Sequence, residues 1–471
     1  MNNYYSFSSM ALLLFGQLVK AWNMRNILLL GAGKSSAALI RYLLDRAVEE
    51  DLMLTVADLS SDAAANKLGG HRRGHALAMD IQDGTLRRQA IINSDLVISL
   101  LPTELHVPVA MDCIATGKPL ITASYVSADM QALHDRASRA SILLMNECGL
   151  DPGLDHMSAM QLIHRIKQKG GVIESFRSYT GGLITPESAT NPWNYKFTWN
   201  PRNVILAGSQ GARFLENGLE KRLTHVEVFE KASTVEIEGH GQFDAYANRD
   251  SLNYINLYEL DQARTILRGT LRHRGFCRAW SFLIKLGLTD DQRIIQHDGP
   301  RTWADLITDM IPDNIRGDTI QQRVAAYLNV SEQDESLEKL SWTGIFDRQP
   351  LPLTCGTPAC MLQLLLEEKW KLEEKDRDMV VMYHEIIYRN VASEAIRLIS
   401  SLVVKGQNSV MTAMALTVGL PLGITALLIL NKKIHQKGVA IPVMPEVYNP
   451  VLESLKKHGI EFTEKESVLA M

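Results

Sequence analysis

The 471-residue chain lacks an excess of either charge: 49 Lys and Arg stand against 53 Asp and Glu, a net charge of −4 at pH 7. The basic excess of a dedicated nucleic-acid binder is therefore missing, and no nucleic-acid partner is expected. Cysteine is scarce. Cys113, Cys148, Cys277, Cys355 and Cys360 form an odd, scattered set. That excludes a disulfide-stapled miniprotein and points to a reducing compartment, here the cytoplasm. Cys355 and Cys360 lie close together, but no second Cys/His pair completes a zinc set, so no metal is expected. The sequence has no internal repeat and no low-complexity tract.

Long apolar runs are also few. Met10–Gly16 is too short to span a bilayer, and no Lys or Arg precedes it, so the charged start of a signal peptide is missing. Met24 stands just before an apolar strand, and the expectation is that translation starts there, with 1–23 a disordered extension. Met411–Leu430 carries no charge and is long enough to span, but Gly419, Pro421 and Gly423 interrupt it. The reading is a loop followed by a fully buried helix Pro421–Leu430, with Pro421 in its first turn, where a missing N–H costs nothing. No membrane partner is expected.

What is present is ordinary globular usage, 46% apolar and 22% charged. At about 100–200 residues per domain the length suggests two to four domains. Short apolar strands alternate with helical stretches: Asn26–Leu30, Leu52–Ala57, Ala76–Met79, Leu96–Leu101, Leu120–Ala123 and Ile142–Met145 as strands; Ser35–Leu44, Val107–Ala115 and Met130–Arg139 as helices. Continuous apolar strands separated by helices indicate a parallel sheet covered on both faces. The fold class is α/β, a Rossmann-like doubly wound parallel sheet. Beyond residue 150 the texture becomes that of a mixed α/β domain, with strand-like pieces at Ser175–Tyr179, Val226–Phe229 and Thr234–Glu238. A mostly helical stretch follows, then a strand at Met379–His384 and an amphipathic helix at Pro450–His458.

Gly31-Ala32-Gly33-Lys34-Ser35-Ser36 follows the first strand and opens a helix. Gly31 allows a tight turn, Gly33 lets backbone approach a pyrophosphate, and the helix N-terminus offers N–H groups and a positive dipole end. Asp58 ends the second strand, where an acidic residue binds the adenosine ribose hydroxyls. A carboxylate there favours NAD, since it repels the extra phosphate of NADP. Arg72 and Arg73 keep NADP possible. A turn-forming Asp at a strand end is the plain structural alternative.

Asn146-Glu147-Cys148-Gly149-Leu150-Asp151-Pro152-Gly153-Leu154-Asp155-His156 follows the last strand of the first domain, at a strand end where such sheets bind ligands. Asp-Pro-Gly alone reads as a turn, and Asp151, Asp155 and His156 are no recognised metal-ligand set. The run NECGLDPGLDH resembles the signature of the saccharopine dehydrogenase family, specifically its glutamate-forming reductases. SLLP at Ser99–Pro102, TASYVS at Thr122–Ser127, SYTGGL at Ser178–Leu183, YKFTW at Tyr195–Trp199, YANRDS at Tyr246–Ser251, RGTLRHRGF at Arg268–Phe276 and TVGLPLGI at Thr417–Ile424 agree in order. The likeness runs from about Met24 to the C-terminus.

The resemblance implies a Rossmann-like domain over 24–124 completed by 408–471, a substrate domain over 125–264 and 370–407, and a small helical insertion over 265–369. It implies cofactor contacts at Gly31, Ala32, Gly33, Lys34, Ser35, Asp58, Asp80, Ile81, Leu101, Leu150, Asp151, Pro152 and Asn200. It implies amino-acid substrate contacts at Ser124, Tyr125, Asp151, Thr180, Arg249, Gly269, Thr270, Leu271 and Arg272, with Asp151 and Tyr125 as the catalytic candidates. Eukaryotic members carry Cys in SYCGG where this chain has Thr180, so a thiol acid/base role is impossible here. The segment 59–79 also lacks an obvious NADP-type basic residue beside the second strand.

The implied chemistry is hydride transfer at the CH–NH group of saccharopine, giving glutamate and 2-aminoadipate 6-semialdehyde. Saccharopine carries three carboxylates, which Arg249 and Arg272 can grip, each pair contributing roughly 1.5–3 kcal/mol. Two other readings stay open. One is a related carboxyalkyl-amine (carboxynorspermidine-type) dehydrogenase. The other is a non-catalytic dinucleotide-binding protein, which would not require Asp151, Arg249 and Arg272. A homodimer is compatible with the sequence.

Overall fold

The computed structural model describes residues 24–469; the expectation for 1–23 lies outside them. The chain divides into two compact units, one formed by residues up to Met157 with Ala415–His458, the other by Ser158–Met414 with the residues after His458.

The first unit is built on strands β1 (Arg25–Leu30), β2 (Leu52–Asp58), β3 (Gly74–Ala78), β4 (Leu96–Ser99), β5 (Leu120–Thr122) and β6 (Leu143–Met145). A seventh strand, Gly438–Ala440, pairs with β6. The order from one edge is β3-β2-β1-β4-β5-β6 and then 438–440, with every neighbouring pair parallel. The order reverses at β1 and β4, the switch point of a doubly wound sheet, outside whose carboxyl ends ligands bind. Ile27, Leu29 and Leu30 are wholly buried, as are Val97 and Ile98 of β4. Such strands need no alternation of apolar and polar residues, because helices cover both faces. The expected helix Met130–Arg139 is two short helices, Ala128–Gln131 and His134–Arg139.

The apolar run near the C-terminus forms one helix, Ala413–Leu430. It is long and apolar enough to cross a membrane, yet 72% of it is buried inside the protein. Burial agrees with expectation, but the start does not: Pro421 sits inside the helix rather than in its first turn. Asp378 starts the helix earlier by accepting from the Ala413 and Met414 N–H groups at 2.6 and 2.9 Å. A carboxylate that satisfies first-turn donors substitutes for the proline signal. Gly419 lies against the helix Ser36–Arg46, where a Cβ would come 2.7 Å from the Leu39 nitrogen.

In the second unit, β7 (Val172–Ile184) lies between β8 (Thr265–His273), which runs parallel to it, and β9 (Asp378–Arg389), which runs antiparallel. β10 (Ala395–Lys405) follows β9, and the terminal strand β11 (Thr463–Val468) pairs with β10. Two expectations need correction. Val226–Phe229 reads as a strand from its β-branched and aromatic residues, but it lies in the helix His225–Glu230. Thr224 and Glu227 form a reciprocal capping box there, and that local signal overrides β-propensity. The domain boundaries also move. β6 belongs to the first sheet, so the first unit runs past 124; the tail 459–469 contributes β11 to the second sheet; and β8 is a central strand of that sheet, so helices begin only at Phe276. Those helices share one hydrophobic core with the sheet, in which Trp193, Trp280, Trp303 and Trp370 are buried with Leu183 and Leu271.

Candidate active site

Because the strands of the first sheet are parallel, their carboxyl ends lie on one edge. Gly31–Ser35 follows β1, Asp58 ends β2, Asp80 and Ile81 follow β3, Leu101 follows β4, Ser124 and Tyr125 follow β5, and Leu150–Pro152 follows β6. The first unit thus gathers every cofactor residue expected from the sequence except Asn200. That residue belongs to the second unit, where its side chain accepts from the Arg202 N–H and caps the helix Pro201–Ile205.

The glycine turn has the shape of a dinucleotide cradle. Gly31 holds φ +98°, and a Cβ there would meet the Leu100 carbonyl at 3.0 Å. A Cβ at Gly33 would meet nothing within 4 Å, so the turn is open where a diphosphate would approach. Ser35, at the N-cap of the following helix, makes no capping bond with its side chain. Uncapped first-turn N–H groups and the dipole suit an anion. Residues and turn together fit a nicotinamide dinucleotide.

Asp58 is tied into this turn: it accepts from the Ala32 N–H at 2.7 Å and from the Ser60 N–H at 3.1 Å. Lys67, which the sequence reading missed, reaches the Gly33 carbonyl and lies 3.1 Å from the Ser36 hydroxyl. Burial lowers the Lys67 pKa and the Asp58 charge raises it. Arg73 cannot serve as an NADP residue here. It precedes β3, at the opposite end of the sheet, and faces Asp51 at 3.4 Å.

On the substrate side of this unit, the Tyr125 hydroxyl donates to Asp151 Oδ1 at 2.9 Å. The two catalytic candidates, 26 residues apart in sequence, are therefore joined directly. Around them the signature forms a tight structure. Gly153 folds back on Gly149, where a Cβ would come 2.2 Å from the Gly149 carbonyl oxygen. Asp155 accepts from the Gly153 N–H, and the Asp151–Pro152 peptide is cis. Glu147 is buried, faces His156 Nε2 at 2.7 Å and accepts from the Val126 N–H at 2.9 Å. One carboxylate thus fastens the loop bearing Tyr125 to the loop bearing Asp151. The sequence reading quoted Glu147 but gave it no role; its partners come from a different strand end and a helix.

Ser124 is half-buried, and its hydroxyl lies 2.8 Å from His106 Nε2. His106 Nδ1 in turn lies 2.9 Å from the Ser99 hydroxyl. Desolvation takes the His106 pKa from the ordinary 6.5 to about 4, against a smaller opposing effect of the Glu104 charge. This histidine had no distinguishing signal in sequence.

The second unit carries the other substrate candidates. Strand alternation divides the run Gly269–Arg272: Thr270 and Arg272 share one face of β8, and Gly269 and Leu271 face the other way. Thr180, opposite Thr270 on β7, joins the first pair. Arg272 is only 3% exposed. Its guanidinium carbon lies 5.3, 5.4 and 5.7 Å from the ring centres of Tyr195, Phe276 and Tyr246. Its Nη1 donates to the Leu271 carbonyl at 3.0 Å, while Nε has no partner. No carboxylate pairs with it among the described residues. The hydroxyls of Thr180 and Thr198 are likewise buried without partners. Burial raises the Tyr195 and Tyr246 phenol pKa values, and the Arg272 charge opposes both shifts. A desolvated cation on the face that carries the unsatisfied Thr180 hydroxyl suits an anion. Arg249 is exposed, in a left-handed conformation at φ +55°.

Comparison with known proteins agrees with this geometry. The family model described as "Saccharopine dehydrogenase NADP binding domain" matches residues 27–145, and "Saccharopine dehydrogenase C-terminal domain" matches 149–460. Saccharopine dehydrogenase [NADP(+), L-glutamate-forming] of Schizosaccharomyces pombe is 33% identical over 449 residues, covering 94% of this chain and 99% of that protein. The protein of the same name from Saccharomyces cerevisiae is 32% identical with the same coverage. Mitochondrial alpha-aminoadipic semialdehyde synthase of Bos taurus is 32% identical, and the chain spans 48% of its length. The structure of apo histidine-tagged saccharopine dehydrogenase (L-Glu forming) from Saccharomyces cerevisiae superposes with a TM-score of 0.85, at 30% identity, covering 94% of this chain and all of that one. Matched along both units and across nearly the full length of the two yeast enzymes, the chain belongs to the saccharopine dehydrogenase family.

Proposed function

We propose that this protein catalyses the reversible oxidation of saccharopine to glutamate and 2-aminoadipate 6-semialdehyde with a nicotinamide dinucleotide. The observation that carries the substrate class is Arg272, a buried cation that lacks a carboxylate of its own. A substrate with three carboxylates supplies one. Thr180 and Thr198 offer hydroxyl donors for such a ligand. Without an anion these groups are a standing cost, so the free protein is poised for a ligand of that charge.

The dinucleotide, when bound, supplies the hydride acceptor. The Gly31–Gly33 turn and the helix N-terminus would hold its diphosphate, and Asp58 would meet the adenosine ribose. Asp151 balances the positive charge of the secondary amine as substrate binds. The ammonium first loses a proton; oxidation then removes a hydride from the carbon on the aminoadipate side of the nitrogen, leaving a protonated imine. Water adds to that carbon, and the carbon–nitrogen bond breaks to free the amine of glutamate. Tyr125, hydrogen-bonded to Asp151, assists at the nitrogen where the proton leaves and returns. Water shares the proton transfers, so neither residue is assigned as the sole base.

The cofactor has two lines of support. The matched domain and the yeast relatives are named for NADP. Asp58 works in the other direction, because its carboxylate would repel a ribose phosphate, and the neighbouring Leu59 brings no charge. Of the two lysines at the turn, Lys67 is committed to Gly33 and Ser36, and Lys34 is exposed. We therefore read NAD as accepted at least as well as NADP, unlike the relatives' names. All five cysteines are free thiols, in keeping with action in a reducing compartment such as the cytoplasm.

The test is direct. Purified protein with saccharopine and each oxidised dinucleotide is followed by the absorbance of the reduced ring and by release of glutamate. Turnover with both products supports the proposal. Inactivity on saccharopine with turnover of a carboxynorspermidine-type amine moves it to that relative. Dinucleotide binding without turnover of any such amine leaves the non-catalytic reading.

A further inference from the structure

His106 opens the helix His106–Thr116 and is 3% exposed, between β4 and the loop after β5. Its ring touches three hydroxyls: Ser99 at 2.9 Å on Nδ1, Ser124 at 2.8 Å on Nε2, and Thr122 at 3.4 Å on Nε2. The charged group beside it is Glu104. Being held well below its usual pKa, the ring is neutral at physiological pH, with one N–H and one lone pair.

The direction of these bonds follows from burial. Ser99 is wholly buried, and His106 Nδ1 is its one side-chain partner. If Ser99 merely accepted, its own O–H would be buried without an acceptor, which native interiors avoid. Ser99 therefore donates to Nδ1. The ring proton is then on Nε2, which donates to Ser124 at 2.8 Å, the shorter of its two contacts; Thr122, at 3.4 Å, accepts from the Ser124 N–H. With one lone pair of its oxygen accepting from Nε2, Ser124 keeps its O–H free to donate to a ligand.

We propose that His106 is a positioning residue that fixes Ser124 as a hydrogen-bond donor to a carboxylate oxygen of the substrate. The substrate half rests on the proposed function, through the reading of Ser124 as a substrate contact. The tautomer half does not.

Two measurements separate them. Long-range 1H–15N correlation spectra of the wild-type protein, without substrate, are expected to show His106 protonated on Nε2 and bare on Nδ1. The reverse tautomer overturns the proposal whatever the enzyme turns over. In steady-state kinetics, His106→Ala is expected to raise the KM for the amino-acid substrate about tenfold, with the dinucleotide Kd unchanged. His106→Gln, whose amide can donate to Ser124, is expected to restore part of the loss. Ser124→Ala combined with His106→Ala should be no worse than either variant alone. Additive losses, or equal weakening of both ligands, overturn the role. If wild type fails on saccharopine but shows the Nε2 tautomer, the failure belongs to the proposed function; KM and the double variant are then read on the amine it does turn over. If it turns over no amine, the substrate half is overturned.

Discussion

Arg272 is a charge without a counter-charge, and its substitution separates binding from folding. A buried ion with no partner is a desolvation cost in the free protein, and replacing it with an apolar residue of similar volume often stabilises. Arg272→Met is therefore expected to lower kcat/KM for saccharopine about 100-fold, roughly 3 kcal/mol at the upper end for a charged hydrogen bond. The same variant should melt no lower than wild type in calorimetry. A lower melting point with unchanged kinetics would make Arg272 a structural residue. At Asp58 the expected change is in a ratio. Asp58→Ala removes the repulsion of a ribose phosphate and the hydrogen bonds to ribose together. The quotient of kcat/KM for NAD over NADP should fall by at least about tenfold; an unmoved quotient removes Asp58 from cofactor selection. Asp58 was legible from sequence because it ends an apolar strand after a glycine turn. His106, Glu147 and Lys67 were not, since their partners come from other strand ends and no local pattern marks them.

At the scale of elements, the contact between Ala413–Leu430 and Ser36–Arg46 rests on the absence of a side chain at Gly419. Gly419→Val would place atoms where Leu39 backbone already lies, and overpacking of this kind costs about 1–3 kcal/mol. Urea unfolding should show that loss in the midpoint with little change in slope; an unchanged midpoint would mean that the two helices part without cost. The strands of the first sheet read easily because they are continuous apolar runs. β10 is absent from the sequence reading, although Ile396, Leu398, Leu402 and Val404 are buried at alternate positions. β11 has no such alternation: Thr463–Val468 is exposed throughout, and only backbone pairing with β10 makes it a strand. His225–Glu230 shows the converse, apolar composition that suggests a strand and a capping box that makes a helix.

At the scale of the whole molecule, His106 links folding to pH. Its pKa is about 4 in the folded protein and near 6.5 when unfolded. Between those values the unfolded chain binds more protons, so stability falls as pH drops from about 6.5 towards 4. The full effect is about 3 kcal/mol. Denaturation curves across this window should steepen in wild type and flatten in His106→Gln. Equal slopes would mean that the histidine charges freely in the native state.

The chain crosses between its two units three times, after Met157, Met414 and His458. The outer strand of the first sheet, Gly438–Ala440, is synthesised long after β6, the strand it pairs with. A growing chain therefore leaves that side of β6 unpaired until Gly438–Ala440 is made. A product stopped short of Gly438 is expected to aggregate through that edge, which light scattering of the truncated chain would show.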